Sequence, residues 1–586
     1  MHKILIGVAA AAVLIARPAS AADMPLKTPV VQPLPTWNWT GWYIGAHVGG
    51  GLGTTDVADP FGASIFGDAV RTPAFLGGGQ VGYNWQPTNS HVVLGAEADL
   101  SALASSGTNT CLAFSGFFQS SNCQVQPNWM ATLTGRVGYA LGANDRSLLY
   151  IKGGASWVHD NIDITNNVGN FTPGGGTPVT TATPTTTSLG YSKIGWTVGA
   201  GIEQALTPAW SLTLEYNYLN FGSSSIATPA SLWYPPLIQP FGATNTAVQQ
   251  NLHVIKLGLN YKLGSDPWAG WDSALVPYPV KAAPKIASGW EAEVGSRYAY
   301  SWGRFQKDIG LFPGESPSSN VSRLTYDNMG TNSGEAFGRI DTPWNVFAKG
   351  FIGFGGTDSG EMNDEDWGID HGGVGLAYSN TLSDKVTGNI NYGVADVGYD
   401  LWRTQGQRIG AFVGYSYFHQ EMNAFGCTQI ANASGPCGGS TGSPTSILII
   451  RETDTWNALR VGLAGDFMPF DRVKLSADVA YLPYVTFRGV DDHLLFTPTE
   501  IFPEWSNDGN GVQLEGMLTY FVTDRLSVGV GGRYWAMWTI GAKSNCVSNC
   551  SDTPTPAPTP TPPQFFRAAA EQVGVLAQAS YKFDIP

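Results

Sequence analysis

Apolar and polar side chains alternate with a period of two along much of this chain. In the clearest stretch, residues 211–218, one face carries leucine and tyrosine while the other carries serine, threonine, glutamate and asparagine. Successive side chains of an extended strand point to opposite sides, so this pattern predicts strands with one apolar and one polar face. About eight such strands are predicted in the first half, beginning near residues 41, 79, 91, 129, 148, 194, 211 and 253.

The connections between these strands alternate in length. Short ones are predicted at 86–90, 142–146 and 206–209, and long polar ones near 52–75, 100–127, 158–190 and 222–250. Short turns at one end and long loops at the other are typical of an outer-membrane barrel with periplasmic turns. A soluble up-and-down barrel would instead carry its apolar faces inward and have shorter loops.

Prolines interrupt the pattern between residues 264 and 287. Proline cannot donate to a strand ladder, and a tight turn would need only a few residues. We interpret this segment as a periplasmic linker between two barrels. A single continuous barrel of about 18 strands, as in porins, is the alternative.

The second half repeats the alternation of turns and loops. Tight turns are predicted at 341–343, 404–407, 469–472 and 523–525, and long loops near 303–320, 356–382, 422–447, 489–508 and 541–564. The predicted fold class is therefore all-β, with two transmembrane antiparallel β-barrels in tandem. The first has about eight strands over 38–263, and the second has about ten strands over 288–586.

Composition supports a membrane barrel. Only 13% of residues are charged while 12% are aromatic, and glycine contributes 73 of the 586 residues. A soluble enzyme would usually carry about a quarter charged residues. The net charge of −14 argues against nucleic acid as a partner.

The N-terminus has the features of a secretory signal peptide over residues 1–21. His2 and Lys3 precede an apolar run, and Ala19-Ser20-Ala21 fits a cleavage site. Residues 22–37, rich in proline, are interpreted as a periplasmic leader. No later stretch offers about 20 uncharged apolar residues, so a membrane protein here must be built from strands.

Six cysteines fall into three close pairs: Cys111/Cys123, Cys427/Cys437 and Cys546/Cys550. In an exported chain these spacings favour local disulfides that staple loops. The last pair would also suit half of a metal site, but no matching histidine or cysteine lies nearby in sequence.

Two short runs carry the candidate chemistry. Asp364 and Asp366 are two residues apart, as are Asp491 and His493. On an extended strand each pair would share one side, so three carboxylates and an imidazole could surround one water molecule for hydrolysis. Strand counting places the two runs in the second and fourth long loops of the second barrel, on its external rim. Solvated rim charges are the plain alternative; a calcium loop fits poorly because Gly375 stands where an EF-hand needs glutamate.

Strand parity poses a problem for the second run. Unbroken alternation along 473–487, with Val485 and Phe487 facing lipid, would place Asp491 and His493 on the lipid side. A β-bulge must therefore reset the phase, and we predict it at Gly489.

The first half resembles a known family. The segments that carry the resemblance are Trp39-Thr40-Gly41-Trp42-Tyr43-Ile44-Gly45, Gly135-Arg136-Val137-Gly138-Tyr139-Ala140 and Leu257-Gly258-Leu259-Asn260-Tyr261. They are similar to the small eight-stranded outer-membrane immunogenic-protein barrels over roughly 38–263. This resemblance implies a structural surface barrel without catalytic residues.

The second half resembles the omptin outer-membrane proteases through Met362-Asn363-Asp364-Glu365-Asp366-Trp367 and Arg488-Gly489-Val490-Asp491-Asp492-His493. The resemblance implies an aspartic-type endopeptidase in which Asp364, Asp366, Asp491 and His493 are catalytic. His493, oriented by Asp491, would take a proton from water, while the other two aspartates would share a proton or hold that water.

The second half also departs from the omptin pattern. Gly303 and Gly489 stand where the family carries acidic residues that select basic side chains. Of the family's lipopolysaccharide-contact run only Tyr415 is present, with Tyr417 and His419 at the other positions. Lipopolysaccharide is thus an expected membrane partner and an uncertain activator.

The sequence therefore predicts a surface endopeptidase of the bacterial outer membrane, with long loops outside and both termini and the linker in the periplasm. Its expected partners are outer-membrane lipid and peptide or protein substrates, without nucleic acid, and no cofactor or metal is expected. A catalytically silent structural, adhesive or porin-like protein is the alternative.

Overall fold

In a computed structural model of the protein, extended strands make up most of the described residues. The description covers residues 37–585 without the segments 59–68, 113–120, 143–144, 167–169, 172–178, 181–185, 230, 234–238, 242, 268–289, 311–319, 368–369, 372–373, 376–378, 404–405, 432–436, 438–442, 471, 496–497 and 549–562. Within these ranges, no helix has the length and apolar character that a membrane crossing requires. The predicted signal peptide, nearly all of the leader and most of the 264–287 linker lie outside the described residues.

Eight long strands form the first barrel. They are β1 (Gly41–Val57), β2 (Ala69–Trp85), β3 (Val92–Ser105), β4 (Ser121–Leu141), β5 (Ser147–Asn166), β6 (Thr186–Ala205), β7 (Trp210–Ala227) and β8 (Asn245–Lys262). Each pairs antiparallel with the next, and β8 pairs with β1, so the sheet closes. Closure gives every strand two hydrogen-bonded neighbours, as a sheet in lipid requires. The predicted eight strands are confirmed.

Ten long strands form the second barrel. They are β9 (Trp290–Gly310), β10 (Asn320–Asp341), β11 (Val346–Thr357), β12 (Lys385–Arg403), β13 (Gln407–Ala431), β14 (Ser443–Phe470), β15 (Val473–His493), β16 (Gly509–Phe521), β17 (Leu526–Thr539) and β18 (Gln564–Ile585). This sheet also closes, through the pairing of β18 with β9. The all-β tandem of eight and ten strands is thus confirmed.

Shorter strands extend both walls at the end opposite the tight turns, which we call the long-loop end. In the second barrel they are Glu361–Asp366, Ser379–Leu382, Glu500–Ser506 and Ala542–Ser544, and in the first barrel Gly107–Cys111. Three two-stranded pieces complete the set: Asn170–Phe171 with Val179–Thr180, Ser231–Trp233 with Gln239–Phe241, and Asp370–His371 with Val374–Gly375.

The prediction of loops near 356–382 and 489–508 was therefore partly wrong. Glu361–Asp366 pairs with β10 and with Ser379–Leu382, and Glu500–Ser506 pairs with β15. These short polar segments lack a long apolar face, but a neighbouring strand already held in the wall offers them hydrogen-bonding partners. The candidate site residues consequently lie on strands of a wall that rises above the short-turn part of the barrel.

Exposed apolar side chains cover the second barrel between two aromatic rings. The ring near the short turns comprises Trp290, Trp344, Tyr399, Phe470, Tyr520 and Phe583. The ring toward the long-loop end comprises Tyr298, Trp302, Phe354, Tyr415 and Tyr484. Such girdles mark the two membrane–water boundaries of a transmembrane barrel. Residues beyond Trp302 on β9 and Tyr484 on β15 therefore lie outside the membrane.

Buried ion pairs cross both lumens. In the first barrel Lys152 Nζ lies 2.9 Å from Glu97 and 2.6 Å from Glu215. In the second, Glu515 receives Arg297 at 3.1 Å and Arg533 at 2.7 Å. At these levels side chains fill the interior, as expected for barrels of about eight to ten strands.

The two barrels lie side by side. Leu212, Leu214 and Leu257 of the first pack against Val512 and Leu514 of the second. At Gly50 of β1 the approach is close, since a Cβ there would come within 2.6 Å of the Val512 side chain. Apolar outer faces that would otherwise contact lipid thus cover one another.

Disulfides join Cys111 to Cys123 and Cys427 to Cys437, as predicted. Cys546 is also disulfide-bonded, and its predicted partner Cys550 lies outside the described residues.

Leu133→Arg tests the lipid-facing band. Leu133 is 54% exposed on β4 and lies about midway between Trp129 and Tyr139, which are both exposed aromatics. We expect the substitution to lower the free energy of unfolding by about 2–4 kcal/mol, because it puts a charge at the bilayer midplane. Urea titration of the protein refolded into lipid vesicles measures this change.

Val92→Arg is the matched control, since Val92 pairs with Tyr139 at the edge of the band. There the expected loss is only about 0–1 kcal/mol. Equal losses for the two variants would contradict the assignment of the band.

Candidate active site

The candidate residues Asp491 and His493 lie at the end of β15. Along the lower part of this strand the lumen side carries even-numbered residues up to Leu482, and from Val485 onward it carries odd-numbered ones. The change coincides with a register shift against β14 between residues 481 and 484. Asp491 and His493 therefore face the interior of the second barrel.

The predicted bulge at Gly489 was wrong in position, although a phase change does occur. Pairing with β14 is unbroken from residue 484 to 493. Val485 and Phe487, which the sequence assigned to the lipid face, are fully buried in the interior. The shift brackets Pro483, which has no N–H to donate and so suits a bulge.

Asp491 and His493 are joined by a hydrogen bond. His493 Nε2 lies 2.9 Å from Asp491 Oδ2, and Phe502 packs against the imidazole with ring centroids 5.2 Å apart. The Asp491 side chain is buried, whereas that of His493 retains 21% of its surface. The imidazole can thus reach solvent while its partner is shielded.

Lys307 on β9 links this pair to two buried glutamates. Its Nζ lies 2.5 Å from Asp491 Oδ2, 2.7 Å from Glu452 Oε2 and 2.9 Å from Glu504 Oε1. We call Lys307, Glu452, Asp491 and Glu504 the lysine cluster. All four side chains are fully buried or nearly so, so the ammonium balances charge that water cannot solvate.

Sequence reasoning missed Lys307, Glu452 and Glu504. Lys307 and Glu504 fell in predicted loops, and Glu452 lies about 40 residues before Asp491 in sequence. Glu452 stands directly opposite Asp491 in the ladder, and Glu504 stands opposite Gly489. Two carboxylates that face each other across a ladder repel unless a cation lies between them. This would have predicted Lys307 only if the register of the strands had been known.

Three carboxylates of the lysine cluster are close enough together to resemble a metal site. Oxygens of Glu452, Asp491 and Glu504 all lie within 4.8 Å of one another. The Lys307 ammonium is within 2.9 Å of each residue, so it supplies the positive charge that a cation would bring.

The Asp491–His493 pair is strongly polarised. Burial alone would raise the pKa of Asp491, but the Lys307 ammonium and the His493 imidazole hold that pKa well below its usual range. Burial alone would lower the pKa of His493, but the charge and hydrogen bond of Asp491, and then the charge of Asp364, raise it to about 9. His493 is thus an imidazolium at neutral pH.

The two glutamates shift in the opposite sense to Asp491. Burial raises the pKa of Glu504 to about 7, although the Lys307 ammonium opposes the shift. Burial and then Glu504 raise the pKa of Glu452 well above its usual range. Asp491 therefore carries the negative charge that faces His493.

Asp364 and Asp366 occupy the strand Glu361–Asp366. Asp364 stands opposite Leu324 of β10 and Asp366 opposite Ser322, and both aspartates are half-buried. The charge of Asp364 contributes to the raised pKa of His493. The strand Glu361–Asp366 and the end of β15 therefore border the same part of the barrel interior.

Tyr326 of β10 lies between the strand Glu361–Asp366 and the end of β15. Burial, then the charges of Asp491 and Glu452, raise the pKa of its hydroxyl well above the usual range, and Asp364 adds to this effect. The hydroxyl is buried without a hydrogen-bond partner among the described residues. It is a neutral donor directed into the space around the candidate residues, and the sequence motifs did not single it out.

Glu504 occupies part of the space left by Gly489. A Cβ on Gly489 would come within 3.2 Å of Glu504 Oε2. A carboxylate of the neighbouring strand therefore lies beside position 489, and Lys307 binds it at 2.9 Å.

Comparisons with known proteins divide the chain into the same two halves. A family described as outer membrane protein beta-barrel domain matches residues 8–262, and the Omptin family matches residues 314–555. The 31 kDa outer-membrane immunogenic protein of Brucella melitensis biotype 1 is 31% identical over 264 residues, which are 43% of this chain and 97% of that protein. A 22 kDa outer membrane protein of Rhizobium leguminosarum bv. viciae is 29% identical over 192 residues, 32% of this chain and 67% of that protein.

Solved structures that match parts of this chain include the outer membrane protease OmpT from Escherichia coli. It is 16% identical with a TM-score of 0.40, and the match covers 52% of this chain and 99% of that one. The attachment invasion locus protein Ail of Yersinia pestis is 13% identical with a TM-score of 0.17, covering 38% of this chain and 99% of that one.

Lys307→Met tests the lysine cluster. We expect it to lower the free energy of unfolding by about 3–5 kcal/mol at pH 8, because it leaves buried carboxylates without their counter-charge. Without the ammonium the folded-state pKa values of Glu452 and Glu504 rise further, so the loss should shrink toward pH 5, where both are protonated. Urea titrations at the two pH values measure the difference.

The triple variant Lys307→Met, Glu452→Gln, Glu504→Gln is the matched control. It removes the excess negative charge while keeping side-chain size, so most of the lost stability should return. A Lys307→Met protein as stable as wild type at pH 8 would refute the assigned charge balance.

Proposed function

We propose that this chain, whose N-terminal half belongs to the outer-membrane β-barrel family of the Brucella 31 kDa immunogenic protein and whose C-terminal half carries an omptin family domain, is a surface endopeptidase. The observation that carries the proposal is the 2.9 Å contact between His493 and buried Asp491 on the wall above the aromatic girdle. In this proposal the long-loop end faces the exterior, and the turns, linker and termini face the periplasm.

His493 is the proposed general base. With Nε2–H donating to Asp491, Nδ1, which lies 4.0 Å from Glu500 Oε2, is the nitrogen proposed to take a proton from water. The water oxygen then attacks the carbonyl carbon of the peptide bond. As the tetrahedral intermediate collapses, the C–N bond breaks and the imidazolium returns its proton to the leaving amine, so no covalent intermediate is required.

Asp364 and Asp366 are proposed to hold the attacking water, because their carboxylate oxygens can accept hydrogen bonds from it. Tyr326, kept neutral by its raised pKa, is proposed to donate a hydrogen bond to the developing oxyanion. Each of these groups acts by placing charge where the transition state needs it.

The proposed substrates are peptides or exposed protein loops without selection for lysine or arginine. A site that selects basic side chains needs unpaired negative charge. Here Gly303 and Gly489 supply none, and Lys307 binds the carboxylates that lie nearest. Lipopolysaccharide is proposed as a surrounding lipid and as an activator. Of the contact residues that the omptin resemblance implies, only Tyr415 is present.

His493→Gln and Asp491→Asn test the proposed chemistry. We expect each to lower kcat by about 10²–10⁴-fold, because each removes the positioned base. The measurement is cleavage of a broad peptide library by the refolded full chain, with sites located by mass spectrometry. Asp492→Asn is the matched control: it makes the same change one residue away, on the outward face of β15, and should keep wild-type activity. Equal cleavage by all variants, or none by the wild type, would remove the enzyme proposal and favour a silent surface barrel.

The pH profile tests the state of His493. With a pKa of about 9, only about 1% of His493 is neutral at pH 7. The base must be neutral, so kcat/KM should rise about tenfold per unit as pH increases from 7 toward 8. Asp364→Asn removes a charge that raises this pKa, so the rising limb should move to lower pH even though the rate falls. A flat profile between pH 6 and 9 would exclude His493 as the base.

A further inference from the structure

The second barrel carries buried polar side chains on its outer wall, above the aromatic girdle. On β9 these are Arg304, Gln306 and Asp308, and on β10 Arg323, whose side chain is fully buried. Side chains alternate along β9, so Arg304, Gln306 and Asp308 point outward while Phe305 and Lys307 point into the lumen. Charged residues on an outer wall are ordinarily solvated. Their burial indicates that another part of the protein, with polar groups that match them, covers this face.

The cover is a hairpin of the first barrel. The strand Gly107–Cys111 pairs with the start of β4, and the Cys111–Cys123 disulfide joins the two. We call residues 107–111 and 121–125 the stapled hairpin. It projects from the long-loop end of the first barrel and meets the outer wall of the second.

Hydrogen bonds join the stapled hairpin to the wall. Thr108 Oγ1 donates to Asp308 Oδ2 at 2.5 Å, and Gln306 Nε2 donates to the Thr108 carbonyl at 3.0 Å. Arg323 donates to Thr110 Oγ1 at 2.7 Å and to Asn122 Oδ1. Its Nε also donates to Asp308 at 2.6 Å, so one guanidinium ties both barrels together.

One contact reaches the strand of the candidate aspartates. Thr110 Oγ1 donates at 2.7 Å to Glu365 Oε2, and Glu365 lies between Asp364 and Asp366. Glu365 also stands directly opposite Arg323 in the ladder. Because neighbours on a strand point to opposite sides, fixing Glu365 outward fixes Asp364 and Asp366 inward.

Two further contacts widen the attachment beyond the hairpin. Arg71 of β2 forms an ion pair with Glu571 of β18 at 3.1 Å, and Arg567 donates to the Ser106 carbonyl at 2.9 Å. The apolar contact of the membrane-embedded faces continues below them. The attachment between the two barrels therefore extends beyond the stapled hairpin.

We propose that the first barrel is a built-in positioning partner of the active site, and that its stapled hairpin holds Glu361–Asp366 so that Asp364 and Asp366 meet the substrate water. The inference rests on the proposed endopeptidase function. It gives the N-terminal barrel a role in catalysis that acts through the placement of Asp364 and Asp366. It makes Thr110, Asn122, Arg323 and Glu365 positioning residues.

Thr110→Val is the test variant, since it keeps the shape of the side chain and removes both hydroxyl hydrogen bonds. A displacement of about 1 Å in a catalytic group can cost about 10²-fold, so we expect kcat to fall by tenfold or more with KM little changed. Thr110→Ser restores the hydroxyl and should restore kcat. All measurements use the refolded full chain, with folding checked by heat-modifiable migration on gels.

Thr228→Val is the matched control. Thr228 is buried at the same end of the first barrel. Its hydroxyl donates to the Thr244 carbonyl at 3.2 Å and accepts from the Thr244 N–H at 3.3 Å, so both of these hydrogen bonds lie within the first barrel. The proposal requires that this variant keep wild-type kcat. Equal loss in the two valine variants, or unchanged kcat in Thr110→Val, would overturn it.

Titration of His493 by NMR separates this proposal from the proposed function. Asp364 contributes to the raised pKa of His493, so loosening the aspartate strand in Thr110→Val should lower that pKa, while Thr228→Val should leave it unchanged. If the wild type cleaves no peptide, the endopeptidase proposal fails, but a lowered pKa in Thr110→Val still supports the positioning role. An unchanged pKa overturns that role.

Discussion

The rule that every backbone N–H and C=O in lipid must be hydrogen-bonded governs this protein. Helices of sufficient length are absent from the described residues, and both long sheets satisfy the rule by closing on themselves. Closure has a second consequence. Polar side chains on the inner face are cut off from bulk water and must satisfy one another, as Lys152 does with Glu97 and Glu215.

The lysine cluster, above the membrane, meets the same requirement that buried polar groups satisfy one another. Burying Asp491 opposite Glu452 would be costly without Lys307, and with Lys307 the carboxylate stays ionised beside His493. That ionised carboxylate in turn holds a proton on the imidazole. The arrangement that positions the proposed base therefore also raises the pH at which that base loses its proton. In addition, Lys307 neutralises the negative charge that could have attracted a basic substrate side chain.

The contact between the barrels changes character along its length. Within the membrane the contact is apolar, through Leu212, Leu257 and Val512. Side chains that suit lipid pack as well against each other as against lipid. Above the membrane the contact is polar, through Arg323 and the stapled hairpin. Barrel strands tilt, so a line of contact that rises along the barrel axis crosses β15, β16, β17 and β18 before it reaches β9 and β10. This tilt brings the hairpin of one barrel to the aspartate strand of the other.

Local sequence determined much of the architecture. The period of two and the alternation of short and long connections gave eight and ten strands, and close cysteine spacing gave the first two disulfides, because each of these features depends on neighbours within a few residues. The spacing of Asp491 and His493 likewise gave their shared side. Tertiary structure alone decided the rest. The phase change at Pro483, the meeting of Lys307 with Glu452 and Glu504, and the contact of Thr110 with Glu365 all depend on strand register and barrel packing. Those are set by interactions between residues far apart in the chain, and no local pattern records them.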